Sequence, residues 1–279
     1  MDAPNASRGP VKFAILSDIH ANVEALQATL EHISRQAVDH IVCLGDVVGS
    51  NTNPAECIAL LRERNALWVA GNHDRAVSGQ ITTTGLTHAG ARAIAWTRGR
   101  LSADIITFLA NLPLKTVIGN HLVAVHGALH PDTGCELVRL DSDERRLLSF
   151  KALSVHPSGA RICAFGHTHR IAIFEFRDGV VRAQSADEVL LRDDSHYLIN
   201  PGTVGEPRTP DRRATYLVLD IARSLIRVHR VEYDFSVPIA KSRKAGLLPR
   251  SSLVPSALKT PLKRTVRALG LYNMKRSGW

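Results

Sequence analysis

The sequence predicts an α/β protein in which two β-sheets pack on each other with helices outside. Three observations carry this. Apolar, β-branched runs alternate with helical patterns over the first 75 residues, the hydrophobic period changes to two in hairpin-like stretches between 116 and 233, and polar residues follow the apolar runs directly. At 279 residues and 44% hydrophobic, the chain is long enough for one large domain with a sizeable core.

The elements follow in order. VKFAILSD (11–18) is a buried strand, and Asn22 reads as the N-cap of a helix carrying Leu26, Leu30 and Ile33 at helical spacing. HIVCLGD (40–46) is a second strand; Asn53-Pro54 then caps the helix AECIALLRER, with proline at its first position. LWVAGN (67–72) is the third strand. Strands alternating with helices imply parallel βαβ units, whose ligands bind beyond the carboxyl ends of the strands, where Asp18, Asp46 and Asn72 stand. Residues 86–112 read as two helices around THAGARAIAW and SADIITFLANL. TVIGNHLVAVH and IAIFEFRDGVVRAQ read as hairpins with Gly-Asn and Asp-Gly turns, and ATYLVLDIARSLIRVHRVEY as a third. The strand ARICAF ends near Gly166, whose flexibility is expected to let the chain turn into HTHR.

Charge is distributed unevenly. All 26 acidic residues lie at or before Asp234, which leaves residues 1–234 with 25 basic residues and a net of −1, while ten Lys and Arg after Asp234 give the remainder +10. The expected organisation is a domain over 1–234 and a basic tail over 235–279. In that tail Leu258, Leu262, Val266 and Leu269 are spaced for a short amphipathic helix. Such a tail suits an anionic membrane surface, nucleic acid or another subunit, and a solvated or self-docked tail is the alternative. Cys43, Cys57, Cys135 and Cys163 are scattered and read as free thiols of a reducing compartment. No apolar run approaches the roughly 18 residues of a membrane span, and MDAPNASRGPVKF lacks the apolar stretch of a signal peptide, so a cytoplasmic location is expected.

Five short blocks place polar residues where strands end: SDIH (17–20), GDVVG (45–49), GNHD (71–74), VHG (125–127) and GHTH (166–169). They supply Asp18, His20, Asp46, Asn72, His126, His167 and His169. Oxygen and imidazole donors in this mixture suit borderline dications such as Mn, Fe, Zn or Ni, and seven donors exceed one tetrahedral site, so two metals are expected.

This set resembles the signature of the calcineurin-like metallophosphoesterase superfamily: DxH, GDxxx, GNHD, a later His after a strand, and GHxH. The runs SDIHANVEAL, NPAECIALL and INPGTVGEPRTPDRRATYLVLD are similar to its compact bacterial members, and the likeness extends from about Lys12 to Asp234. The resemblance implies a four-layer αββα sandwich of two mixed β-sheets flanked by helices. It implies one metal on Asp18, His20 and His169, another on Asn72, His126 and His167, and Asp46 bridging them. Two dications with two carboxylates leave about +2, suited to a phosphate group, and metal-bound hydroxide would attack phosphorus directly. His73 resembles the family histidine that stabilises the transition state or protonates the leaving oxygen. Asp74 would either orient His73 or cap the turn structurally.

Asn22, Arg75, His88 and His130 are candidate substrate contacts, while Asn200, Gly202 and Gly205 read as an architectural loop near the metals. Where close relatives often carry Gly-Tyr-Gly-Pro, this chain has Ser50-Asn51-Thr52-Asn53 before Pro54, so an aromatic near the substrate entrance is missing. The expected activity is hydrolysis of phosphodiesters or phosphomonoesters on a small-molecule or nucleotide substrate. A dinucleoside polyphosphate hydrolase, a nuclease and a non-catalytic interaction scaffold are the alternatives.

Overall fold

The computed structural model describes residues 11–247. Strands β1 (Lys12–Leu16), β2 (His40–Cys43) and β3 (Leu67–Trp68) alternate with α1 (Val23–Ser34) and α2 (Pro54–Glu63). Three helices follow, α3 (Asn72–Ser78), α4 (His88–Arg98) and α5 (Ala103–Ala110), then β4 (Lys115–Ile118), β5 (Leu122–Val125) and α6 (Asp143–Ser154). The rest comprises β6 (Ile162–Ala164), β7 (Ile171–Arg177), β8 (Val180–Gln184), β9 (Glu188–Leu190), β10 (His196–Pro201), β11 (Ala214–Asp220), β12 (Leu225–Val231) and α7 (Ser236–Lys244).

Two six-stranded sheets result, in the orders β3-β2-β1-β11-β12-β9 and β4-β5-β6-β10-β7-β8. Both are mixed. β1 pairs β2 in parallel and β11 antiparallel, while β10 pairs β6 in parallel and β7 antiparallel. The sequence separates a parallel half from an antiparallel half, but the β11–β12 hairpin crosses over to complete the first sheet. The strands bury both faces, and the period of two shows which side chain serves which layer. Phe13 and Ile15 of β1, Val42 of β2, Leu122 and Ala124 of β5, and Leu217 and Leu219 of β11 meet between the sheets. Their neighbours Ala14, Leu16, Ile41, Cys43, Tyr216 and Val218 face α1, α2 and the other helices of that side, whereas Val123 and Val125 face Phe150 and Leu153 of α6. The architecture is therefore the expected four-layer αββα sandwich.

Local chemistry sets the element ends. The Asn22 side chain accepts the Ala25 N–H at 3.1 Å and caps α1. Asn53 precedes α2 without capping it, because its amide donates to Glu56 and its oxygen accepts from Lys241. The β7–β8 turn places Asp178 and Gly179 at φ of 52° and 75°, the two left-handed positions of a tight hairpin. Helix α7 lies in the stretch that the charge pattern groups with the tail, yet it packs on α1. Lys241 pairs with Glu24, and Ser242 donates to Asn51 at 3.1 Å. The expected amphipathic helix around Leu258 to Leu269 lies outside the described residues. Among the described residues no helix is long and apolar enough to cross a membrane.

Candidate metal centre

Parallel pairing of β1, β2 and β3 points their carboxyl ends in one direction, and the chain leaves each through a tight loop. The loops are zipped together: Asp18 N–H donates to Gly45 O, His20 N–H to Asp46 O and Ala21 N–H to Val47 O, at 3.1, 2.9 and 2.8 Å. The second sheet contributes His126 after β5 and His167 and His169 after β6. Asp18, His20, Asp46, His167 and His169 all have left-handed backbone, with φ from 50° to 62°. Non-glycine residues pay roughly 1–3 kcal/mol for such conformations, which cluster where a side chain must be aimed at a site. His167 and His169 both lie off the strand, each turned separately.

Gly166 does not need a left-handed φ, contrary to the turn expected there. What it needs is room, because a Cβ would lie 2.0 Å from Ser17 Oγ and 2.9 Å from Asp18 Oδ2.

The donors converge in two groups, linked by a third that takes one residue from each. Asp18, His20 and His169 offer atoms within 4.8 Å of one another, and so do Asp46, His126 and His167; a third such group joins His20, Asp46 and His73. Asn72 adds its Oδ1, 3.1 Å from His126 Nε2. The tautomers follow from the partners. His126 Nδ1 meets Leu44 O and His169 Nδ1 meets Glu206 O, both at 2.7 Å. A carbonyl only accepts, so each Nδ1 carries a proton and each Nε2 is the ring atom left to face the cluster. Those nitrogens face carboxylates: His169 Nε2 lies 3.1 Å from Asp18 Oδ1, and His126 Nε2 lies 3.3 Å from Asp46 Oδ2. Asp18 Oδ1 and His20 Nδ1 are buried with no hydrogen-bond partner. Imidazole nitrogens and carboxylate oxygens packed this closely in a buried site require a positive charge between them, either a proton on Nε2 or a dication shared by both groups. Separations of 3.1–3.3 Å match neighbouring ligands at ~2.1 Å from one centre. The residues fit divalent metals, and backbone carbonyls orienting the imidazoles are the usual outer support of such a centre.

The charges agree. Burial works against ionisation of Asp18 and Asp46, yet the facing imidazoles, His169 for Asp18 and His126 for Asp46, hold both carboxyls below the usual range, and against the same burial the carboxylates hold the His126 imidazole up at about 9 and raise that of His169. Burial holds the His20 imidazole down to about 4 and that of His167 to about 3, so both rings are neutral donors at ordinary pH.

The remaining candidates are placed differently. His73 stands beside the cluster, its ring 4.7 Å from that of His20, its N–H on Asp46 Oδ1 and its Nδ1 3.3 Å from Gly49 O. Asp74 does not orient His73: its carboxylate is consumed by the N–H groups of Asp46, Val47, Val48 and Gly71. Asn22 does not face a substrate, because its oxygen caps α1 and its amide donates to Gly205 O at 3.0 Å. Arg75 is paired with the buried Glu136, so a phosphate would have to displace that carboxylate. His88 at the start of α4 and His130 after β5 are exposed, and neither enters the metal-capable groups among the described residues. Asn200 is architectural, donating to Gly166 O and Thr168 Oγ1. Glu206 was missed: its Oε2 lies 3.4 Å from His20 Nε2. The only sequence signal was its place in the INPGTVGEPR run.

A four-layer αββα sandwich with a histidine–aspartate cluster across the strand ends defines a metal-dependent phosphoesterase architecture. The chain belongs to the calcineurin-like phosphoesterase superfamily, whose domain model matches residues 11–224. It is 36% identical over 238 residues to the uncharacterized protein MJ0912 of Methanocaldococcus jannaschii, covering 84% of this chain and 93% of that one. A metallophosphoesterase from Sphaerobacter thermophilus superposes with a TM-score of 0.71 at 32% identity, covering 87% of this chain and 96% of that chain. The hypothetical protein PH1004 from Pyrococcus horikoshii OT3 shares the fold, with a TM-score of 0.68 at 18% identity, covering 86% and 95%. Membership assigns the chain to metal-dependent phosphoester hydrolases as a class.

Proposed function

We propose that this protein hydrolyses phosphoesters at a dinuclear centre. Asp18, His20 and His169 would hold one dication, Asn72, His126 and His167 the other, and Asp46 would serve both. The observation that carries this reading is the pair of imidazole Nε2 atoms aimed by Leu44 O and Glu206 O at carboxylate oxygens. Bound there, Mn, Fe, Zn or Ni ions would polarise the phosphoryl oxygens and lower the pKa of a water between them.

The chain's own residues do the rest. Asp46 spans the groups, with Oδ1 taking the His73 N–H at 2.8 Å and Oδ2 facing His126 and His20. His73 is held by its backbone and by Gly49 O; with Nδ1 donating to that carbonyl, Nε2 gives a proton to the departing oxygen from the doubly protonated imidazolium. Gly49 is required at this spot, since a Cβ there would meet His73 Nδ1 at 2.5 Å.

Metal analysis of protein as purified, combined with hydrolysis of aryl phosphoesters, tests the reading. His126→Ala and His169→Ala should each drop the content from two ions to one. Asp46→Asn should lose at least about 100-fold in kcat/KM, and His73→Ala should lose kcat while keeping both ions. A Mn-loaded wild type that hydrolyses no aryl phosphomonoester or diester, with Asp46→Asn indistinguishable from it, would sink the proposal and favour a non-catalytic scaffold.

A further inference from the structure

Glu206 sits at the mouth of the cluster on the loop after β10, and the loop is fixed at each end. Its N–H donates to Thr203 Oγ1 at 3.0 Å, Thr203 in turn donates to Asp18 O at 2.8 Å, and the Glu206 carbonyl accepts from His169. Ser50 Oγ donates to Glu206 Oε2 at 3.2 Å from the opposite wall, placing that oxygen 3.4 Å from His20 Nε2. The side chain is still 41% exposed, so the carboxylate closes one side of the site while facing solvent and any incoming substrate.

We infer that Glu206 selects substrate charge, favouring the monoanion of a phosphodiester over the dianion of a phosphomonoester; this rests on the two-metal reading. Two dications with Asp18 and Asp46 carry about +2, or about +1 with the attacking hydroxide counted; a third carboxylate in the same small volume removes one further charge in either state, and its repulsion of a dianion is about twice its repulsion of a monoanion. Arg208 follows two residues later and is exposed, so solvent screens its opposing charge more than that of a carboxylate fixed against His20. The Ser50 hydroxyl aims the carboxylate, so the loop after β2 and Glu206 form one device.

The test compares wild type, Glu206→Gln and Glu206→Asp, all Mn-loaded, on p-nitrophenyl phosphate and bis(p-nitrophenyl) phosphate. Metal content and inorganic phosphate binding at pH 8 are measured in parallel by metal analysis and calorimetry. Glu206→Gln should keep both ions, lower the diester-to-monoester ratio of kcat/KM by about tenfold and bind phosphate about tenfold more tightly, while Glu206→Asp keeps the wild-type ratio. A change below threefold in both ratio and phosphate affinity overturns the inference. Loss of an ion in Glu206→Gln also overturns it, since Glu206 would then be a ligand. Failure of wild type on both esters is a failure of the two-metal reading instead, and the phosphate-binding comparison still reports on Glu206.

Discussion

Asp74 accepts Val47 N–H and Val48 N–H on Oδ1 and Asp46 N–H and Gly71 N–H on Oδ2, at 2.8–3.2 Å. A charged acceptor bonded to four donors from two loops ties the loop after β2 to the start of α3, and thereby holds Asp46 in its left-handed conformation. Burial, assisted by Asp46, raises the Asp74 carboxyl to about 7, and the four N–H groups pull the other way by favouring the ionised form. Asp74→Asn turns an amide NH2 toward N–H donors and leaves two of them unpaired. At roughly 1–3 kcal/mol per buried unsatisfied group, the variant should lose about 2–6 kcal/mol in denaturant unfolding. If unfolding were unchanged while activity fell, Asp74 would have a chemical task after all. From the sequence, orienting His73 and capping the turn were equally open for Asp74. Its neighbours along the chain do not reveal that its oxygens face residues 26 to 28 positions upstream.

Helix α1 is joined to the first sheet by more than its apolar stripe. His32 in its last turn meets Tyr216 OH through Nδ1 at 2.7 Å, and Tyr216 pairs in register with His229 across β11 and β12, their rings stacked at 4.8 Å. Burial lowers the His229 imidazole to about 4, with His32 and Arg227 beside it acting in the same direction and Glu188 opposing. A histidine whose folded pKa lies below its unfolded value of about 6.5 stabilises the fold above that pH and withdraws the contribution as pH falls toward 4. The unfolding free energy of wild type should therefore decline between pH 6.5 and 4 more steeply than that of His229→Phe. Parallel curves for the two proteins would remove His229 from the account.

The elements legible beforehand were those with clean local periodicity: β1 to β3, α1, α2, α4, α5 and the three hairpins. Helix α6, DERRLLSFKALS, carries charge on much of its surface and only a narrow buried stripe of Ser149, Phe150 and Leu153, so it gave little signal. Strand β10 disappeared into the loop-like INPGTVG run because it is buried almost throughout and shows no alternation.

At the scale of the molecule, the site exists where loops of the two sheets abut. Gly205 N–H donates to Asp18 O, and a Cβ at Gly205 would lie 1.8 Å from Ile19 O. Gly205→Ala has to push backbone from backbone, unlike a clash that a side-chain rotation relieves. It should cost about 1–3 kcal/mol in stability and reduce the ions retained after dialysis, read by denaturation and metal analysis on one preparation. Full stability with full metal content would show that the junction is slack. The sequence by itself determined the fold class, the family and the set of residues that converge on the site. Strand periodicity and polar residues at strand ends are local properties, written within a few residues of each other. Only the tertiary structure decided that the β11–β12 hairpin completes the first sheet, that Asn22, Arg75 and Asp74 are occupied elsewhere, and that Glu206 closes the mouth. Those outcomes depend on contacts between residues 26 to 208 positions apart, which arise when the sheets assemble and pack and which no local pattern encodes.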